Sequence, residues 1–320
     1  MADIKLLHDL RARLGTVIVG QEALLDRLVI ALLAGGHVLL EGPPGLAKTT
    51  VVHALATSVD AQYQRVQFTP DLMPGDLTGS DIYDASTGTF RFIPGPLFHE
   101  ILLADEINRA PPKVQSALLE AMAEHQVTVG GVTRALPLLF MVLATQNPLE
   151  QSGTYRLPEA QLDRFLFQII LDYPDLEQEI EISRRARKAH EGHVEEGLTA
   201  VLKPVDILAL RDQVNDVFID EKIERYAVEV VTATRNLAKY LPQWGEMIQT
   251  GASPRASIAL LRSAMARAFL DDRDYVIPED IIELAGDVLR HRIVLDFSAQ
   301  AEDINADTII SSLLNTISHP

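Results

Sequence analysis

The chain has 320 residues, 47% of them apolar, and a formal net charge of −17. That length and composition suit a folded protein with a large core and two domains, and exclude a disordered one. The absence of cysteine removes disulfides, thiol nucleophiles and cysteine-bound zinc and agrees with a cytoplasmic location, while the acidity disfavours nucleic acid and anionic membranes as partners.

The opening MADIKLLHDLRARLG is charged throughout and places Ile4, Leu7, Leu10 and Leu14 on one face, which predicts an amphipathic helix and not a signal peptide. HVLLEG predicts a strand that runs into the turn EGPPGLAKTT, residues 41–50, and Val51, Val52, Leu55 and Val59 then recur at helical spacing. DIYDASTGTFRF is a candidate hairpin, and EILLADE is a continuous apolar run that ends in two acids. Pro111 and Pro112 suit the first turn of a helix over KVQSALLEAMAEH. QVTVGGVTRAL, with its Gly-Gly pair, is a second hairpin, and LLFMVLATQNP is another apolar run. Continuous apolar runs that alternate with helices predict a mostly parallel sheet covered on both faces, so the fold class is α/β. The longest such run, Leu136 to Ala144, is too short to span a bilayer, and no membrane insertion is expected.

After Tyr173-Pro174 the sequence becomes dense in charge, and from Pro204 onward helical patterns dominate. SPRASIALLRSAMARAFL has Ser253 as a cap and Pro254 at the first helical position, and PEDIIELAGDVLRHRI is a further helix. The expected organisation is an α/β body over 1–180, a linker over 181–203 and a smaller helical domain over 204–320.

Strand, glycine-rich turn, Lys-Thr and helix together describe a phosphate cradle. The backbone N–H groups of such a turn point inward, and the helix N-terminus adds partial positive charge. Gly42, Pro43, Pro44, Gly45, Leu46 and Ala47 form the turn. Lys48 is placed to reach the β- and γ-phosphates, the Thr49 hydroxyl to bind Mg²⁺, and Thr50 completes the binding segment. Ala47 stands where the general pattern has glycine: it is costly if that position needs positive φ and acceptable within the first helical turn. Asp105 is placed to hold Mg²⁺ through water, and Glu106 to act as a general base. Asn147 in ATQNP ends a strand where its amide can orient water or touch the γ-phosphate. Each signal taken singly has a plainer counterpart: an ordinary strand–helix turn, a solvated strand end, a turn-forming asparagine before proline.

As a set, GPPGLAKT, LLADEINRAPPKVQSALLEAMAEHQVT, ATQNP, LPEAQLDRF and GASPRA resemble the motifs of the MoxR-type ATPases of the AAA+ superfamily, in that family's order. The resemblance covers most of 17–175 and again about 250–296, and the family tolerates alanine at position 47. It implies an AAA+ P-loop core followed by an all-α lid, with ATP and Mg²⁺ as cofactors and Val19, Gly20 and Gln21 near the adenine. It also implies homo-oligomeric rings, usually hexamers, in which Arg164 matches the arginine finger that enters a neighbour's site. Arg255 matches the lid arginine called sensor 2, the VTVGGVTR hairpin an extra hairpin of the clade, and residues 68–79 a helix insertion. Partners in the family often carry a von Willebrand factor A domain, and the work is chaperone-like maturation of a client complex, including metal-cofactor insertion.

On the residues alone, Asp163 offers Arg164 a local ion-pair partner, and Arg255 suits either a phosphate or a shared carboxylate. Arg109 suits a subunit boundary or a capping or surface role, and His190 with His193 lacks a third metal ligand at useful spacing. Two rival functions share the core: a nucleic-acid motor, for which the second hairpin offers only Arg134, and a nucleotide-gated assembly protein with little turnover.

Overall fold

The computed structural model describes residues 4–43, 45–46, 48–147, 153–190 and 199–320. The first half runs α1 (Lys5–Val17), α2 (Glu22–Ala34), β1 (Val38–Glu41), α3 (Lys48–Ser58), β2 (Tyr63–Gln67), α4 (Pro74–Thr78), β3 (Gly79–Asp84), β4 (Thr89–Pro94), β5 (Ile101–Asp105), α5 (Pro112–Glu124), β6 (Gln126–Val129), β7 (Val132–Ala135) and β8 (Met141–Gln146). There follow α6 (Glu159–Leu162), β9 (Phe167–Ile170), α7 (Leu176–His190), α8 (Pro204–Asn215), α9 (Glu221–Ala233) and α10 (Leu237–Tyr240). The chain closes with β10 (Ile248–Thr250), α11 (Pro254–Leu270), α12 (Pro278–Leu289), β11 (Val294–Leu295), α13 (Phe297–Ala301) and α14 (Ala306–Thr316).

The main sheet has the order β2-β5-β8-β1-β9, and the pairs β2/β5, β5/β8 and β8/β1 are parallel. Its inner strands are apolar because both faces are covered: Val38 to Leu40, Ile101 to Ala104 and Met141 to Ala144 are fully buried. The expected hairpins form the pairs β3/β4 and β6/β7, the second turning through Gly130 and Gly131 at positive φ. Leu7, Leu10 and Leu14 bury the predicted face of α1. No helix among the described residues is long and apolar enough to cross a membrane.

The chain divides into two compact units, one of Met1–Leu157 and Ile169–Ala209, the other of Pro158–Gln168 and Leu210–Pro320. Two features differ from the sequence reading. The stretch 181–203, expected as linker, is helical through His190, since α7 begins at Leu176. Its charges stabilise it locally: Glu177 and Glu179 lie in the first turn, and Arg185 pairs with Glu181 one turn away at 2.9 Å. The segment Pro158–Gln168, expected within the α/β body, belongs to the second unit. That unit is helical, with α11 packed on α9 and α12, and adds the short antiparallel pair β10/β11. Ser253 caps α11 by accepting from the Arg255 N–H at 3.2 Å, with Pro254 in the first turn.

Candidate active site

The parallel register brings the carboxyl ends of the strands level. Glu41 lies opposite Gln146, Leu40 opposite Thr145, and Gln67 opposite Asp105. Ligands of open α/β sheets bind outside this edge. β1 leaves it through Gly42 and Pro43, then Gly45 and Leu46, into α3, which starts at Lys48. Pro44 and Ala47 lie outside the described residues. Gly42 admits no side chain, because a Cβ there would stand 2.7 Å from the Leu171 carbonyl oxygen, and Gly45 has φ +88°.

Lys48 donates from Nζ to the Gly42 carbonyl at 2.5 Å, so its ammonium lies across the mouth of the turn. Burial pushes this amine below its usual value, and the charges of Asp105, Glu41 and Glu106 pull it back up. A cavity of about 390 Å³ opens here. It brings together Lys48, Thr49, Asp105, Glu106 and Asn147, all singled out from sequence, with Gly45, Leu46 and Thr50 also on its wall. One hydroxyl and one carboxylate facing the same space suit a hard cation that keeps water and phosphate oxygens as its other ligands. Among the described residues no cluster of three or more His, Asp or Glu side chains is placed to hold a metal, and His193 lies outside them.

The two acids are differently held. The Asp105 carboxylate accepts from Arg65 Nη2 at 2.6 Å and from Thr145 Oγ1 at 2.6 Å. Glu106 sits in the left-handed region, φ 57° and ψ 51°, a conformation that costs a non-glycine residue about 1–2 kcal/mol. Its N–H donates to Thr145 Oγ1 at 2.8 Å, and its carboxylate meets Gln67 Nε2 at 2.7 Å and Arg109 Nε at 3.0 Å. Thr145 thus links β8 to both acids. Arg65 and Gln67, two apart on β2, point the same way from a sheet edge and reach one acid each. Arg109, read from sequence as boundary or cap, pairs with Glu106.

A second cavity of about 390 Å³ shares Gly45 and Leu46 with the first. Its wall is mostly apolar, with Ile18, Val19, Tyr173, Pro174 and Ile182, and Gln21 is on it. The Gln21 Oε1 is buried with no hydrogen-bond donor. Gly20 does not line the cavity; it has φ +72° and is packed against the Gln178 side chain. An anion-binding compartment that continues into an apolar one with an orphaned acceptor fits a nucleotide, phosphates on one side and base on the other.

Arg164 and Arg255 belong to the second unit. Asp163 does not pair with Arg164: it accepts from Arg292 Nε at 2.8 Å and Ser253 Oγ at 2.9 Å, with Arg255 Nη1 at 3.8 Å. The position fixes this outcome, because Asp163 caps α6 on the side facing the buried Arg292. Arg164 is half-buried, and its side chain has no ion pair or hydrogen bond to a described residue.

Next to Arg292, His291 is wholly enclosed. Burial, then the charge of Arg292, hold its imidazole well below the usual range, and Arg290 adds to this. It is therefore neutral at pH 7 and donates from Nε2 to the Phe165 carbonyl at 3.1 Å. The unfolded chain takes up a proton near pH 6.5 that folded His291 refuses, so stability is full above that pH and falls as pH drops below it. Each further unit costs about a factor of ten in the folding constant until the depressed folded value is reached. Melting temperature measured from pH 8 to 5 will fall more steeply for the native chain than for His291→Gln, which keeps a donor; equal slopes would contradict this.

Sequence comparison agrees with the geometry. The profile of the ATPase family associated with various cellular activities (AAA) matches residues 37–167, and that of the AAA lid domain matches 245–313. Protein YeaC of Bacillus subtilis is 47% identical over 304 residues, covering 95% of this chain and 92% of its own, and is uncharacterised. Chaperone MoxR1 of Mycobacterium tuberculosis is 45% identical, with 95% and 80% covered, and Protein MoxR of Methylorubrum extorquens 34%, with 87% and 84%. A crystal structure of a presumptive ATPase from Cytophaga hutchinsonii superposes with a TM-score of 0.91 at 46% identity, covering 99% of this chain and 96% of that one. The chain is therefore a member of the MoxR family of AAA+ ATPases: a nucleotide-binding, ATP-hydrolysing enzyme of a family that includes chaperones.

Proposed function

We propose that the chain is a ring-forming, Mg²⁺-dependent ATPase that remodels or matures a client protein. One observation carries the reading: Lys48, Thr49, Asp105 and Glu106 line a single cavity at the mouth of a glycine turn. Lys48 and the first N–H groups of α3 grip the phosphates. Thr49 and Asp105 hold the cation, which when bound neutralises charge on the transferring phosphoryl group. Glu106 accepts the proton of the attacking water, and Asn147 orients that water. Val19 and Gln21 receive the adenine, whose amino group supplies the donor that Gln21 Oε1 lacks.

Arg164 is assigned as the finger that completes a neighbouring subunit's site, and Arg255 as the lid arginine that meets the γ-phosphate after leaving Asp163. Chaperone-like work is supported by the relative named a chaperone at 45% identity. Hexameric rings, a von Willebrand factor A domain partner, metal-cofactor insertion into a client and a cytoplasmic setting follow from the family resemblance. The nucleic-acid motor reading loses its one hairpin cation, since Arg134 stands 3.8 Å from the Phe92 ring centroid and 3.6 Å from Asp81.

Titration calorimetry tests the site. The native chain will bind ATP with Mg²⁺, and Lys48→Ala will bind about tenfold to a hundredfold more weakly, the worth of a charge-assisted hydrogen bond to phosphate. No heat from the folded native chain at millimolar ATP and Mg²⁺ would overturn the assignment.

A further inference from the structure

The segment Pro158–Gln168 carries Arg164 and is held by three consecutive side chains, Arg290, His291 and Arg292, in the turn after α12. Arg292 uses its whole guanidinium. Nε donates to Asp163 Oδ1 at 2.8 Å, Nη1 to the Leu166 carbonyl at 3.2 Å and to that of Val288, and Nη2 to the Phe165 carbonyl at 2.6 Å and the Asp163 carbonyl at 3.4 Å. Those are the five donors an arginine has. His291 adds a second bond to the Phe165 carbonyl, and Arg290 Nη1 donates to the Gln168 carbonyl. The Phe165 and Phe167 rings are fully buried in the same stretch.

A cation with 2% of its side chain exposed is a costly way to pack a core, since apolar residues of like volume are often at least as stabilising. What the arrangement provides instead is direction. The residues on both sides of Arg164 are fixed through their carbonyl oxygens, while Arg164 itself remains unpaired among the described residues.

We propose that Arg290, His291 and Arg292 form a positioning clamp whose task is to aim Arg164, with Arg292 its principal member. The proposal rests on the reading of Arg164 as a finger acting on a neighbouring subunit. Arg292 touches no reacting group; it acts through the backbone of 163–166. An error of about 1 Å in a catalytic group costs on the order of 10²-fold, so Arg292→Met will lower turnover by about that factor and leave the KM for ATP within about twofold.

Subunit mixing separates this role from a merely structural one. An Arg292→Met subunit keeps its own Lys48 and Glu106 but presents a misaimed finger. A Glu106→Gln subunit has no working site of its own but presents a sound finger. Mixed at equal concentration they will regain turnover that neither shows alone, and Arg164→Ala mixed with Glu106→Gln will do the same. Recovery with Arg164→Ala but none with an Arg292 variant that binds ATP normally overturns the clamp and spares the finger. Absence of recovery with Arg164→Ala overturns the finger assignment and the clamp with it. Where Arg292→Met does not bind ATP, Arg292→Lys, which keeps a cation for Asp163 and loses the fork, takes its place in the same mixture.

Discussion

Glu106→Gln will bind ATP as the native chain does and hydrolyse it about 10²–10⁴-fold more slowly, the usual worth of a general base. The substitution is nearly isosteric and changes neither the phosphate-gripping turn nor Thr145, which accepts the backbone N–H of residue 106. It removes the carboxylate placed to take a proton from water at the tip of β5, where among the described residues the other carboxylate, Asp105, is already engaged by Arg65 and Thr145. In the described state Glu106 is also engaged, by Gln67 and Arg109. The catalytic pose therefore requires the side chain to leave these partners, and the left-handed backbone at φ 57° adds strain to the resting state. Phosphate release and binding of a fluorescent nucleotide, measured on the same preparation, check both halves of the expectation. Native turnover in Glu106→Gln would remove this residue from its role.

The second large effect belongs to Arg164→Ala. Arginine fingers supply about 10³–10⁵ in turnover, and a loss of that size is expected with ATP affinity retained. Nothing else in the described structure offers Arg164 employment: Asp163, its sequence neighbour, is committed to Arg292, Ser253 and Arg255. On the proposed assignment the site completed by this arginine is a neighbour's, so turnover per native subunit is expected to rise with protein concentration as rings assemble. Arg164→Ala will stay low across the same range. Native turnover that is flat down to concentrations where sedimentation shows monomer would contradict the reading.

The parts of the fold that show in the sequence are those where one physical rule dominates. Strands buried on both faces must be apolar throughout, so β1, β5 and β8 stand out as runs, and the turn after β1 announces itself through Gly42 and Gly45. Asp105 and Glu106 were legible because acids interrupt an apolar run at its end. The strand β2 was not, since YQRVQ lies at a sheet edge with its residues partly exposed, and an edge strand owes no apolar pattern. Arg65 and Gln67 went unseen with it. Thr145 lay inside ATQNP, but a threonine in a strand carries no mark of the two acids it bridges. The helix α7 was obscured because its stability comes from charges spaced four apart, in a stretch whose density of charge reads equally as a solvated linker. The clamp at Arg290 to Arg292 was beyond reach for a different reason. Apart from the Asp163 carboxylate, its acceptors in 163–168 are backbone carbonyls, which every residue has, so most of what binds Arg292 leaves no trace in the composition of that stretch.

The placement of Pro158–Gln168 has a consequence for how such chains recombine. The helical unit is discontinuous in the gene: eleven residues of it, the last two of them the start of β9, are encoded ahead of the remainder. A crossover between two homologous genes anywhere in 169–209 would join one parent's 158–168 to the other parent's Arg292. Four of its five donors would then meet a foreign segment in a space closed to water, three of them at backbone carbonyls. Inheritance of the two stretches is tied together by geometry, and a graft that respects it must carry both.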